Sequence, residues 1–406
     1  MERSSHTVSR LLTAALLASC LALVNAASQL DISQCPSLKP RTTKPTSVHD
    51  LRIDDFKVIA ALGDSITAAF SAKQSNPIAV TLENRGISYA IGGDSKYLTL
   101  PNLISRYNTD LTGPSIGDHL VELCFGPLCP PYQYRPLLDK FNAAQSGALI
   151  SNIAHELNDY LLPVMKLTPG IDWDNDWKII TIFIMSNDLC LSCDITGPIN
   201  TFFLSPSDFS AELLDVLTTI RANIPRVLVN VVQGLHVSGV WDLTKNDPNC
   251  IIKRSLGLAI ECTCAFPLGD SAAGKALRAQ TDAQADAYNA EIAKLRESFL
   301  PGGSNYDAKY NNTFAMVVEP ALSGLDIPQF PSNMLSALDC FHPSDRAHGM
   351  FASYMWNNLH KPYADKLRKP GKVTTTWKTP GFSTPKYGLS EIPLFCPTDD
   401  SRIPTN

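Results

Sequence analysis

The sequence predicts an α/β fold in three layers, with a parallel sheet between two layers of helices. Three observations point to it: short apolar, β-branched runs recur along the chain, helical patterns fall between them, and no linker or internal repeat divides it. Strands are expected at 58–62, 179–184, 227–232 and 314–318. Each is apolar throughout rather than alternating, the mark of a strand covered on both faces. A helix is expected over 148–165, and another over 209–220, capped by Ser207 or Asp208 and closed by Pro225. A longer alanine-rich helix is expected over 272–299, ending at Pro301-Gly302-Gly303. The last should run over 345–359, with Ser344 as its N-cap.

The ends read differently from this core. Arg3 and Arg10, the apolar run 11–24 and the small-residue site Val24-Asn25-Ala26 form an export signal, so 1–26 is expected to be cleaved. The apolar run is shorter than the roughly 20 residues a spanning helix needs. An N-terminal arm, 27–47, precedes the α/β domain at 48–366. A Pro-, Thr- and Lys-rich arm, 367–406, follows it with no apolar stretch that would serve as a membrane anchor. The mature chain is expected to be secreted.

Of 34 basic and 39 acidic residues, the signal holds Arg3, Arg10 and Glu2, which leaves 32 and 38 and a net charge of −6. That balance, with no basic patch beyond the diffuse 361–372 stretch, argues against a nucleic-acid partner. Eleven cysteines less Cys20 of the signal leave ten, an even number that suits disulfides in an exported chain. Cys124 and Cys129 are a plausible local bridge. The CxxC of Cys190 and Cys193 lacks a second pair with zinc-knuckle spacing, since Cys262 and Cys264 are separated by one residue, so no metal is expected. Asn311-Asn312-Thr313 is an N-glycosylation acceptor at Asn311.

At the end of the first expected strand stands Gly63-Asp64-Ser65. Glycine permits a tight turn, and a serine opening the next helix exposes its hydroxyl and aims its backbone N–H at a developing oxyanion. A serine nucleophile needs a base. In Asp339-Cys340-Phe341-His342 the three-residue offset on a turn lets Asp339 orient one imidazole nitrogen while His342 offers the other to Ser65. Two further donors suggest themselves: the Asn187 amide, just past the 179–184 strand, and the Gly147 backbone N–H, just before a helix. Gly113-Pro114-Ser115-Ile116-Gly117 fits a GxSxG elbow but follows no buried strand, and Gly92-Gly93-Asp94-Ser95 reads as a turn.

Gly63-Asp64-Ser65, Gly147, Asn187-Asp188 and Asp339-x-x-His342 together resemble, in order and spacing, the four blocks of the GDSL or SGNH hydrolases. Ser88-Tyr89-Ala90-Ile91-Gly92-Gly93-Asp94, Asn187-Asp188-Leu189-Cys190, Asp339-Cys340-Phe341-His342-Pro343-Ser344 and Trp356-Asn357-Asn358 are similar to the phospholipase B group within it. The resemblance covers roughly 48–397. It implies a flavodoxin-like sandwich with a five-stranded parallel sheet, and a hydrolase without cofactor or metal acting on fatty acyl esters of phospholipids and lysophospholipids. Ser65 is then the nucleophile, His342 the base oriented by Asp339, and Ser65, Gly147 and Asn187 the oxyanion donors. Esterases of acetylated sugars or neutral lipids, and a weakly catalytic lipid-binding homologue, are the competing expectations. One departure stands out: members of this family usually place two glycines where this chain has Met185-Ser186. Were an unusual dihedral required there, Met185 would shift Asn187 or narrow the pocket. The expectation adopted is an ordinary backbone, with Met185 lining the acyl site.

Overall fold

The computed structural model describes residues 28–73, 81–193, 204–257, 261–266, 268–320, 322–366, 390 and 392–406. The expected export signal and most of the C-terminal arm lie outside the described residues.

Four parallel strands form the sheet, in the order β1 (Phe56–Gly63), β2 (Trp177–Phe183), β3 (Val227–Val232) and β4 (Phe314–Glu319). Every residue of β2, β3 and β4 is buried, as their continuous apolar pattern requires when both faces are covered. Pairing runs without a shift from Val58 opposite Lys178 to Gly63 opposite Phe183, after a bulge between Phe56 and Val58, and from Val227 opposite Phe314 to Val232 opposite Glu319.

The expected fifth strand is not a regular strand among the described residues. Its place beside β1 is shared by two separate segments. Thr112 pairs with the lower half of β1 (Ile59 N to Thr112 O, 3.0 Å), and 141–145 pairs with the upper half (Ala143 N to Ala61 O, 2.9 Å). Gly113, at φ +120°, turns the chain out of the sheet between them, where a Cβ would stand 2.0 Å from the Ile59 carbonyl oxygen. With β2 on one side of β1 and this split edge on the other, connections run both ways from β1. That topological switch point opens a crevice at the carboxyl end of the sheet.

The long helices follow the sequence closely. Helix α1 (Pro206–Asn223) is capped by Ser205, not by Ser207 or Asp208, because Pro206 occupies the first helical position and leaves the preceding serine to accept the Asp208 N–H. Helices α2 (Ala272–Phe299) and α3 (Asp345–Leu359) match expectation, and the Ser344 hydroxyl caps α3. Stacking of Phe209 on Tyr288, ring centroids 4.2 Å apart, fastens α1 to α2.

The helix expected over 148–165 is broken into a 3₁₀ turn (Ile150–Asn152), a short α segment (Ile153–His155), a π-helical stretch (Glu156–Leu161) and a last α turn (Leu162–Leu167). Pro163 has no N–H to give to the turn before it, and the wider π turn precedes it directly.

Among the described residues five disulfides form: Cys35–Cys396, Cys124–Cys129, Cys190–Cys262, Cys193–Cys264 and Cys250–Cys340. The described residues of the two terminal segments pack onto the body. Ser28–Gln29 pairs antiparallel with Leu394–Phe395, and Ile32, Leu394 and Ile403 are buried in the common core.

Candidate active site

β1 delivers Gly63-Asp64-Ser65 to the crevice. Gly63 has φ +154°, and a Cβ on it would lie 2.3 Å from the Phe183 carbonyl oxygen, so the turn requires glycine. The helix expected after Ser65 is not formed. The chain makes consecutive turns (Ala68 N to Asp64 O, Phe70 N to Ser65 O) that end at Ala69 and Ser71, both at positive φ, where it joins the Leu82–Glu83 strand. The Ser65 N–H therefore heads a turn and not a full helix dipole.

Ser65, His342 and Asp339 come together from opposite ends of the chain. The Ser65 hydroxyl lies 2.8 Å from His342 Nε2, and His342 Nδ1 lies 2.7 Å from Asp339 Oδ2. A carboxylate only accepts, so the ring proton sits on Nδ1 and Nε2 is the acceptor for the serine O–H. Asp339 Oδ1 also accepts the Phe341 and His342 backbone N–H groups, at 2.9 and 3.0 Å. Those bonds need the tight turn that Cys340 makes at φ +63°, and the Cys250 disulfide ties that turn to helix Pro248–Ser255. Phe70 and Phe341 set ring edges against the imidazole at 4.9 and 5.1 Å. Burial pushes the His342 pKa down, but the Asp339 carboxylate, by charge and by hydrogen bond, together with Glu261 and Asp64, holds it above the ordinary histidine value.

The two expected donors also meet. Gly147 has φ +88° and sits where a Cβ would come within 2.9 Å of the Cys124 carbonyl oxygen. The Asn187 side-chain amide donates one proton to the Ala148 carbonyl, 2.9 Å away, which fixes that amide beside the Gly147 loop and leaves its second proton to donate. Asp188 binds the same loop, accepting the Ile150 N–H at 3.2 Å. Burial pushes the Asp188 carboxyl up to about 7, and that of Asp64 to about 6 against hydrogen bonds from Ile66 and Ser186.

Met185 departs from expectation. Its φ is +145°, a conformation that favours glycine, so the backbone there is not ordinary. Nor is it among the residues lining the apolar cavity. Its side chain is wholly buried against Gly234, which has no Cβ to obstruct it.

That cavity, about 550 Å³ including its mouth, begins at Ile66 and Ser186, the neighbours of Ser65 and Asn187. It runs between Val240, Ile327, Phe330, Met350 and Phe351, and apart from Ser186 its walls carry no polar side chain. Walls of this character suit an apolar ligand.

Both decoy serine motifs are structural. The Ser115 hydroxyl is buried and donates to the Arg85 carbonyl, and Asp94 accepts the Gly117 N–H. The cysteines considered for zinc are paired across disulfides. Among the described residues, His119, Glu122 and Asp139 have the spacing of a metal-ligand set, but two cations already serve them: Arg85 Nη2 lies 3.1 Å from Glu122, and Arg135 Nη1 lies 2.9 Å from it. This buried ion network supports the Gly147 loop, since Arg85 also donates to the Asn142 and Ala144 carbonyls and Ser146 donates to Glu83.

Sequence reasoning missed Arg85 and Glu156. Glu156 had a readable signal, a charge among Ile153, Leu157 and Tyr160 on an otherwise apolar helical face.

Residues 59–355 match the GDSL-like lipase/acylhydrolase family. The chain belongs to that family. Among curated relatives, the human phospholipase B1, membrane-associated, is 31% identical over 83% of this chain, and the mouse protein of the same name 29% identical over 90%. The chain spans 22% of the length of each. Among solved structures, a family 3 carbohydrate esterase from Talaromyces cellulolyticus is similar over 73% of this chain and 92% of its own, at 16% identity and a TM-score of 0.34, too low to bear on fold or function.

Proposed function

We propose that this GDSL family member is a serine esterase that releases fatty acids from phospholipids and lysophospholipids. The observation that carries this reading is the Ser65–His342–Asp339 relay beside an apolar cavity lined by its chain neighbours Ile66, Phe341 and Pro343. Ser65 attacks the ester carbonyl as His342 takes its proton. The N–H groups of Ser65 and Gly147 and the Asn187 amide hold the oxyanion, and His342 returns the proton to the departing alcohol. Water then enters by the reverse steps, with His342 again the base, and the acyl-enzyme is hydrolysed.

The walls of the cavity favour a long chain over an acetyl group, because each methylene removed from water contributes about 0.8 kcal/mol. The names of the relatives point to the same lipid class. Comparing palmitate release from lysophosphatidylcholine with acetate release from acetylated xylan tests this. Faster acetate release would replace the lipid reading with a sugar-esterase one.

Five disulfides fit an oxidising compartment, and no described helix is long and apolar enough to cross a membrane. With the expected N-terminal signal, the disulfides support secretion. Asn311, half-buried in a turn before β4, is the proposed glycan site.

A further inference from the structure

Glu156 is fully buried in the π-helical stretch and touches both halves of the proposed catalytic apparatus. One carboxylate oxygen accepts the Gly63 N–H at 2.8 Å, two residues before Ser65. The other accepts the Gln145 N–H at 3.2 Å, two residues before Gly147. The Gln145 N–H is shared with the Gly63 carbonyl at 3.1 Å, so these two backbones and one carboxyl group close a single knot. The loop before Gly147 pairs with β1 through Gln145, and Glu156 adds a second tie between that loop and the turn that presents Ser65. The Arg85 network holds the loop from its other side through Asn142 and Ala144.

We propose that Glu156 is a positioning residue that sets the distance between the Ser65 nucleophile and the Gly147 oxyanion donor. The inference rests on the esterase reading above. Glu156 itself contacts no substrate. Burial pushes the Glu156 pKa well above the ordinary carboxyl value against these two bonds, so its role follows from its shape: a group with two acceptor oxygens takes both N–H groups at once. In Glu156→Gln the amide oxygen retains one of them and the NH₂ faces the other, donor against donor.

The test is steady-state kinetics on lysophosphatidylcholine, with active sites counted by fluorophosphonate titration so that only folded, competent enzyme is scored. Glu156→Gln is expected to lower kcat by roughly 10- to 100-fold, as small misplacements in a reacting geometry do, with KM within about twofold of the wild type. Inactivation by the phosphonate, which also generates charge in the oxyanion site, should slow in parallel. Glu156→Asp, which keeps both oxygens, should recover part of the loss.

A kcat per active site within about twofold of the wild type in Glu156→Gln overturns the proposal, and so does an equal loss in Glu156→Asp. Should neither variant fold, amide hydrogen exchange in the wild-type protein decides. Gly63 and Gln145 are expected to open together with one protection factor, and independent opening overturns the coupling. A wild-type chain without activity on any ester would instead count against the esterase reading.

Discussion

Met185 and Gly234 are packed so closely that a Cβ placed on Gly234 would stand 2.0 Å from the Met185 sulfur. Glycine at 234 gives back the room that methionine takes at 185, and the segment Ser186–Cys190, which carries the proposed oxyanion donor Asn187, starts immediately after this contact.

The two positions should therefore behave as one unit in folding stability. Gly234→Ala alone overpacks the site and is expected to cost about 1–3 kcal/mol. Met185→Gly relieves a backbone conformation costing about 1–3 kcal/mol but leaves a void costing about 2–5 kcal/mol, for a net loss. In the Met185→Gly background the added methyl meets open space, so the double variant should be more stable than the sum of the two by about 1–3 kcal/mol. Urea denaturation of the four proteins measures this coupling. Additivity within about 0.5 kcal/mol would mean that the contact carries no energy.

Asn187 is fastened by one amide proton to Ala148, and the other is assigned to the oxyanion. Asn187→Ala is expected to lower kcat by about 10²–10³-fold, equivalent to roughly 2.7–4 kcal/mol of transition-state stabilisation, while KM changes little. A loss smaller than about tenfold in kcat would remove Asn187 from the oxyanion site.

The pH profile follows from His342. Burial alone would lower its pKa, and the Asp339 carboxylate more than reverses that, so the folded value lies above the ordinary one. A general base must be neutral, so kcat/KM should rise with pH through a midpoint above about 6.5. Stability runs the opposite way. The folded chain holds this proton more tightly than the unfolded chain, so the contribution is complete below the unfolded value and is lost as pH rises through the folded one. Asp339→Asn should move the kinetic midpoint down and lower kcat by about 10⁴-fold. An unmoved midpoint would show that Asp339 does not set the base.

Much of this was legible in the chain itself. The strands at 227–232 and 314–318 needed only their β-branched composition, α2 ends just before its Pro-Gly-Gly stop, and α3 begins at its Ser344 cap. The Asp339–His342 turn was readable because its chemistry is local, a three-residue offset within one turn. The fifth strand was not, since whether an edge runs straight or splits depends on Gly113 turning out of the sheet against Ile59, a contact distant in sequence. Met185 was misjudged for a related reason. Its φ is tolerated because Gly234, on the next strand's exit, accommodates the side chain, and no local pattern encodes that pairing. Glu156 and Arg85 acquire their meaning only when 83–85, 122, 139–147 and 156 are folded against the end of β1.

The central claim is that Ser65 is the nucleophile, and covalent labelling tests it most directly. After reaction with a fluorophosphonate and proteolysis, mass spectrometry should find the adduct on the peptide containing Ser65. Ser65→Ala should take up no label and lose hydrolysis of lysophosphatidylcholine by on the order of 10⁴-fold or more. An adduct on another residue, or full hydrolysis by Ser65→Ala, would contradict the account.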